Sequence, residues 1–181
     1  MKAPNWATCT EKELWHYVAY HLSLAGVSSV LVGGAVVSVY SAGLYRSGDI
    51  DLVAEESVKK ITIILEALDF RRIHRHFQHP FCSHIFVEIV SGPIAIGDDY
   101  KIVPDTVAVS GECLRILSPT DCIKDRLASY IYFGARECLD QAILVGRAQP
   151  YREPEIERLC RHEKSDAVFR EFKSGVDAAL S

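Results

Sequence analysis

The sequence has no C-x-x-C pair among its six cysteines, no run approaching the roughly 20 apolar residues that cross a bilayer, and no excess of positive charge. The first absence excludes a zinc ribbon and a thioredoxin motif. With no secretory signal, Cys9, Cys82, Cys113, Cys122, Cys138 and Cys160 are expected as buried thiols rather than disulfides. The second absence, with no apolar h-region in "MKAPNWATCTEKELW", predicts a cytoplasmic protein without a membrane partner. The third, a net charge of -4, excludes the global basic field of a non-specific nucleic-acid binder, so a nucleic-acid substrate would need a local basic patch. Internal repeats and low-complexity linkers are missing too. What is there is ordinary for a folded protein: 181 residues, 49% hydrophobic and 24% charged, long enough to bury a substantial core.

Thr10 followed by Glu13 makes a capping box, and Leu14, Val18, His21 and Leu22 recur at helical spacing, which predicts a helix over about 11–25, ended by Gly26. "VSSVLVGG" reads as a buried strand leading into a glycine turn, "AVVSVYSAG" as a short helix, and "DIDLVA" as the next strand. Ser57 can cap a helix in "VKKITIILEAL". Further strands are expected at 70–77, at 84–90, and around 106–109 and 113–117. Beyond them the pattern is helical. Ser118 and Pro119 open "SPTDCIKDRLASYIYF", and helices follow at roughly 136–146, in "EPEIERLCRHE" and in "SDAVFREFKSGVDAAL". The expected organisation is an α/β (α+β) core over 1–112, a small mixed sheet flanked by helices, with a helical C-terminal extension over 113–181 packed on it.

Within "LVGGAVVSVYSAGLYRSGDIDLV", Asp49 and Asp51 stand two residues apart on a strand, so both side chains leave one face. Two adjacent carboxylates repel unless a cation lies between them, and a hard oxygen pair suits Mg²⁺ with substrate phosphates. Gly33 and Gly34 would let a nucleotide phosphate approach backbone N–H groups.

This order, strand, Gly-Gly, short helix, then D-x-D on the next strand, resembles the polymerase-β-type nucleotidyltransferase superfamily. "RSGDIDLV" and "LSPTDCIKDRLASY" look most like the minimal nucleotidyltransferases and the AbiEii-like proteins of bacterial toxin-antitoxin systems. The resemblance spans roughly residues 25–147. It implies a nucleotidyltransferase fold and a third acid from a later strand, at Glu88 in "FVEIV". It further implies that Asp49, Asp51 and Glu88 hold Mg²⁺ and that Glu88 helps deprotonate the attacking hydroxyl. Gly33, Gly34, Ser38, Ser47 and Lys124 would then contact the NTP. The sequence departs from the pattern in two places. The gap between Gly34 and Asp49, positions 35–48, is at or slightly beyond the usual length, and the third acid is Glu where Asp is commoner.

Two functions fit. One is a Mg²⁺-dependent transferase moving a nucleoside monophosphate from an NTP such as ATP to a hydroxyl of RNA or protein. The other is a catalytically silent module of the same fold, an antitoxin or partner subunit with a cognate protein. "RRIHRHFQHPFCSH" adds His74, His76, His79, Cys82 and His84. Zinc would accept such ligands, but the spacing matches no established framework, and strand alternation would put Arg72, His74 and His76 on one face. A surface for a nucleotide or acidic partner and a plain solvated face are the other readings. Asp125, Arg126, Arg136 and Asp140 are likewise read either as cleft residues or as ordinary surface ion pairs.

Overall fold

Thr10 caps α1 (Glu11–Leu24) with the reciprocal box expected of it: the Glu13 backbone N–H donates to Thr10 Oγ1, and the Thr10 backbone N–H donates to Glu13 Oε2. The chain then follows the order read from the sequence, through β1 (Ser29–Val32), α2 (Gly34–Tyr40), β2 (Asp49–Ala54) and α3 (Val58–Glu66), the last capped by Ser57. In this computed structural model residues 1–178 are described; the last two positions of the helix expected over 165–180 lie outside them.

The stretch 70–77 is not one strand. It divides into β3 (Arg71–Ile73) and β4 (His76–Gln78), antiparallel, with Ile73 opposite His76 and a two-residue turn at His74–Arg75. His74 takes a positive φ of 55° there. The reversal separates the three cations expected on one face: Arg72 is opposite Phe77, with its guanidinium over that ring, while His76 lies on the other face. Then come β5 (Phe86–Ser91), β6 (Asp105–Val109) and β7 (Glu112–Ile116), which completes a mixed sheet in the order β3-β4-β5-β2-β1-β7-β6.

Strand parity gives the sheet two unlike faces. Leu31, Ile50, Leu52, Phe77, Val87 and Ile116 fall on one face and are buried under α1, which lies across β1, β2 and β7 with α3 beside it. At about 25 cal/mol per Å² this burial dominates the stability of the fold. Asp49, Asp51, Val53 and Glu88 leave the opposite face, half-buried. Cys113 is on this side too and is exposed, unlike the other five cysteines, because alternation in β7 turns it away from the helices.

The helical portion is α4 (Pro119–Phe133), α5 (Arg136–Ala148), α6 (Glu153–His162) and α7 (Asp166–Asp177). Its start differs from the expected boundary at 112/113, which cuts through β7. Residues 113–116 belong to the sheet, and Val30 and Leu31 of β1 pair in parallel with Arg115 and Ile116. α4 and α5 dock on α2. Tyr40 stitches the two parts together: its hydroxyl donates to the Leu117 carbonyl at 2.7 Å and its carbonyl accepts from Gln149 Nε2 at 2.9 Å. A single apolar cluster runs through both parts, from Trp15 and Ile50 to Leu139 and Phe172.

Candidate active site

Three carboxylates share the half-buried face. Parallel pairing of β2 with β5 sets Asp51 opposite Glu88, antiparallel pairing of β4 with β5 sets His76 opposite Glu88, and Val32 lies across from Asp51 on β1. His76, Glu88 and Asp51 thus form one row across three strands, with Asp49 two residues along β2. Burial, Asp49 and Glu88 together push the Asp51 carboxyl up to about 6, against a weaker pull from Arg126. The oxygens of the three acids do not all lie within 4.8 Å of one another. Asp49 Oδ1 accepts from Ser47 Oγ at 2.6 Å, and Glu88 Oε2 lies 3.5 Å from Nε of the exposed Arg75.

The glycine turn is shaped around these acids. Gly33, at φ 71° and ψ -153°, occupies backbone space that side chains rarely enter, and a Cβ there would stand 2.5 Å from Asp51 Oδ2. At Gly34 a Cβ would stand 2.5 Å from Ser47 Oγ and 3.4 Å from the Tyr45 hydroxyl. At Gly33 the positive φ disfavours any side chain, while at Gly34 a Cβ would displace the Ser47 hydroxyl, and the gap that the two glycines leave opens onto Asp51 and Ser47.

The loop between α2 and β2 is held from beneath by Glu11, a residue the sequence reading placed only in the first turn of a helix. Glu11 is buried, and its Oε1 accepts from Arg46 Nε at 3.1 Å and from the Ser47 backbone N–H at 3.0 Å. Its Oε2 accepts from Ser38 Oγ at 3.0 Å. Burial alone would raise this carboxyl, but the backbone N–H, Ser38 and Arg46 outweigh it and hold it below the usual carboxylate range. The structure therefore commits the buried Ser38 hydroxyl to Glu11, while Ser47 stands against Asp49.

The cations divide in a way the sequence does not announce. Lys124 is buried and donates to Asp121 Oδ1 and Asp99 Oδ2, each at 3.0 Å. It lines a cavity of about 440 Å³ with Asp98, Tyr100, Arg158 and His162 rather than joining the acid row. Arg126, two residues on, projects from a different side of α4; it is held by Asp125 and by Gln141 Oε1, and its charge is the one that pulls on Asp51. Arg136 is exposed and bonds Glu171, with Asp140 3.7 Å away, the surface ion pairs of the plainer reading. The histidines scatter as well. His74 is in the turn, His76 joins the acid row, and His79 is buried in a 3.7 Å stack on Trp6.

A half-covered mixed sheet carrying D-x-D on one strand, an acid in register on the next, and a glycine turn pressed against them is a nucleotidyltransferase fold. Solved structures place the chain within that fold. It matches a crystal structure of an antigenic nucleotidyltransferase-like protein from Paracoccidioides brasiliensis with a TM-score of 0.65 and 17% identity, over 93% of this chain and 92% of that one. The solution structure of the antibiotic-resistance factor ANT(2'')-Ia gives 0.56 and 14%, over 92% and 95% of the two chains. The lincomycin-bound lincosamide antibiotic adenylyltransferase LnuA gives 0.53 and 16%, over 77% and 98%. No protein-family model and no curated protein matches the sequence.

Proposed function

We propose that the protein transfers a nucleoside monophosphate from an NTP to a hydroxyl, with Asp49, Asp51 and Glu88 at the reacting phosphorus. The observation that carries this reading is the acid row itself: three carboxylates on one sheet face, Asp51 raised by burial and by its acidic neighbours, beside a glycine turn pressed against Asp51 and Ser47. A donor set made of carboxylate oxygens with too little positive charge among them fits Mg²⁺. Asp49, Asp51 and Glu88 would hold the ion. When bound, Mg²⁺ supplies Lewis-acid polarisation of phosphoryl oxygens and counter-charge for departing pyrophosphate. The protein's own residues do the rest. Gly33 and Gly34 leave the triphosphate space beside β2, and Ser47 fixes one Asp49 oxygen so that the other is presented. Glu88 takes the proton of the attacking hydroxyl as its oxygen bonds to the α-phosphorus and the bond to the β-phosphate oxygen breaks.

For the acceptor, RNA or protein and a toxin-antitoxin partner rest on the sequence resemblance alone. A small hydroxylated molecule with ATP as donor has broader support. The adenylyltransferase and resistance-factor neighbours are matched over nearly their whole length, and the cations facing the row, Arg75 and Arg126, are already matched by Glu88 and Asp125. The test is incubation with each α-labelled NTP, Mg²⁺, and separate pools of polyhydroxylated small molecules, RNA and protein, beside Asp49→Asn. Label transfer with pyrophosphate release, lost at least 10³-fold in the variant, is the expected result. The Arg75–Glu88 contact favours a second reading, a silent nucleotide-binding module. That module would give a Mg-NTP thermal shift with no transfer from any pool; neither shift nor transfer would defeat both readings.

A further inference from the structure

Away from the acid row, the segment leading into α1 meets the loop between β4 and β5. Cys9 immediately precedes the α1 cap, and Cys82 and His84 lie in the loop. Cys9 Sγ is 3.7 Å from Cys82 Sγ, Cys82 Sγ is 3.9 Å from His84 Nδ1, and all three atoms lie within 4.8 Å of one another. Both sulfurs are buried and His84 is exposed.

Three properties of this group go beyond ordinary thiol packing. The first is spacing. A tetrahedral ion with metal–sulfur bonds of about 2.3 Å holds two sulfurs about 3.8 Å apart, and a sulfur and an imidazole nitrogen about 3.6 Å apart. The Cys9–Cys82 and Cys82–His84 separations need only a few tenths of an ångström of adjustment, and the third pair already lies within 4.8 Å. The second is the imidazole tautomer. His84 Nε2 lies 2.9 Å from the Cys9 carbonyl oxygen, which can only accept, so the ring proton sits on Nε2 and the Nδ1 lone pair faces the sulfurs. A metal-bound histidine is oriented in the same way, through its far nitrogen onto a carbonyl. The third is composition: two thiols and one imidazole are the ligand set of a borderline-soft cation and not of the hard Mg²⁺ suited to the carboxylates.

We propose that Cys9, Cys82 and His84 form a site for a thiophilic divalent cation of the zinc class, with three protein ligands and solvent in the fourth position on the exposed His84 side. In the metal-free protein the thiol protons face weak acceptors, the Trp6 carbonyl at 3.8 Å from Cys9 Sγ and the Ile85 carbonyl at 3.6 Å from Cys82 Sγ. Binding one ion as a bis-thiolate releases both protons to solvent. The ion would pin the start of α1, which carries Glu11, to the entry of β5, which carries Glu88. It would thereby brace the acid row from outside.

The test is a Co²⁺ titration of reduced, chelator-stripped protein. One equivalent should bind with a thiolate-to-cobalt charge-transfer band and the intense visible bands of a four-coordinate ion, and Zn²⁺ should displace it. Both signals should vanish in Cys82→Ser and in His84→Ala, whose exposed site leaves the fold intact by circular dichroism. They should persist in Cys113→Ser and in Asp49→Asn, which separates this site from the carboxylates. Zn²⁺ should raise the melting temperature of the wild type and leave that of His84→Ala unchanged. Absence of the charge-transfer band in reduced wild type, its survival in a Cys9→Ser, Cys82→Ser double variant, or an equal Zn²⁺ shift in His84→Ala would overturn the assignment. So would a Cys9–Cys82 disulfide that forms in air while the reduced protein binds no cobalt.

Discussion

Two carboxylates near the same loop, Glu11 buried and Asp51 half-buried, have opposite fates. Glu11, bonded to Arg46 and the Ser47 backbone, is surrounded by donors and held below its ordinary range, while Asp51, beside Gly33, is pushed up to about 6 by burial and then by Asp49 and Glu88. A buried charge that serves the architecture comes with its partners built in. One that lacks them is destabilising until something cationic arrives, and such a mismatch in a cleft marks a working group. Lys124 belongs with Glu11 by this measure: burial would lower it, but Asp99 and Asp121 together keep it above its usual value.

The comparison breaks most visibly at Asp51. Asp51→Asn should lower transfer at least 10³-fold, about 4 kcal/mol of barrier, while making the metal-free protein more stable at pH 7 by about 2 kcal/mol or less after solvent screening. Between the ordinary aspartate value near 4 and the native value of about 6, the native state keeps a proton that the unfolded chain has released. Wild-type stability relative to the variant should therefore fall as pH rises from about 4 to about 6 and stay level above. Urea unfolding of both proteins across that range, without divalent cations, measures it; parallel curves would mean that Asp51 is not short of charge.

Glu11→Ala should act in the other direction, costing about 3 kcal/mol by stripping three donors of their acceptor, with Glu11→Gln losing less. Its charge-dependent contribution is fully present above the unfolded glutamate value and shrinks as pH falls below it through the lowered native one, so the gap between wild type and variant should narrow in acid, as urea unfolding across that range would measure. Gly33→Ala tests the space between the two regions. Strain at positive φ should cost about 1–3 kcal/mol, and Mg-NTP should no longer raise the melting temperature. The smallest effect should come from Ser47→Ala, which frees Asp49 from its hydroxyl donor. Stability should change by about 1 kcal/mol or less and kcat by roughly tenfold, read in the same transfer assay.

The placement of the candidate aspartates was legible because its signals are local. The D-x-D parity depends on one strand, and "DIDLVA" spans the observed β2 without adjustment. The hairpin at 74–75 was hidden because it contains no Gly, Asn or Asp; histidine supplies the positive φ instead. Lys124 was expected at the NTP from the resemblance, and its partner Asp99 lies in an irregular loop 25 residues earlier; Glu11 showed only as the start of a helix because its partners come 27 to 36 residues later. Cys9 meets Cys82 across 73 residues. No periodicity encodes such contacts, since tertiary packing alone brings them together.

The position of β7 bears on how the chain reaches this state. β1 pairs on one side with β2, made soon after it, and on the other with β7, which leaves the ribosome some 80 residues later. Among the described residues β6 pairs with β7 alone. Until residue 116 is available, the nascent chain presents the apolar edge of β1, Val30 and Leu31, with no strand to cover it, and β6 has no partner at all. Folding through so distant a parallel pairing is slow, and the waiting edge is a place for chain-to-chain association. A fragment ending near residue 110 should collect in aggregates where the full chain folds. The acid row is already encoded by residue 88, whereas β1 gains its second strand partner only once translation has passed β7.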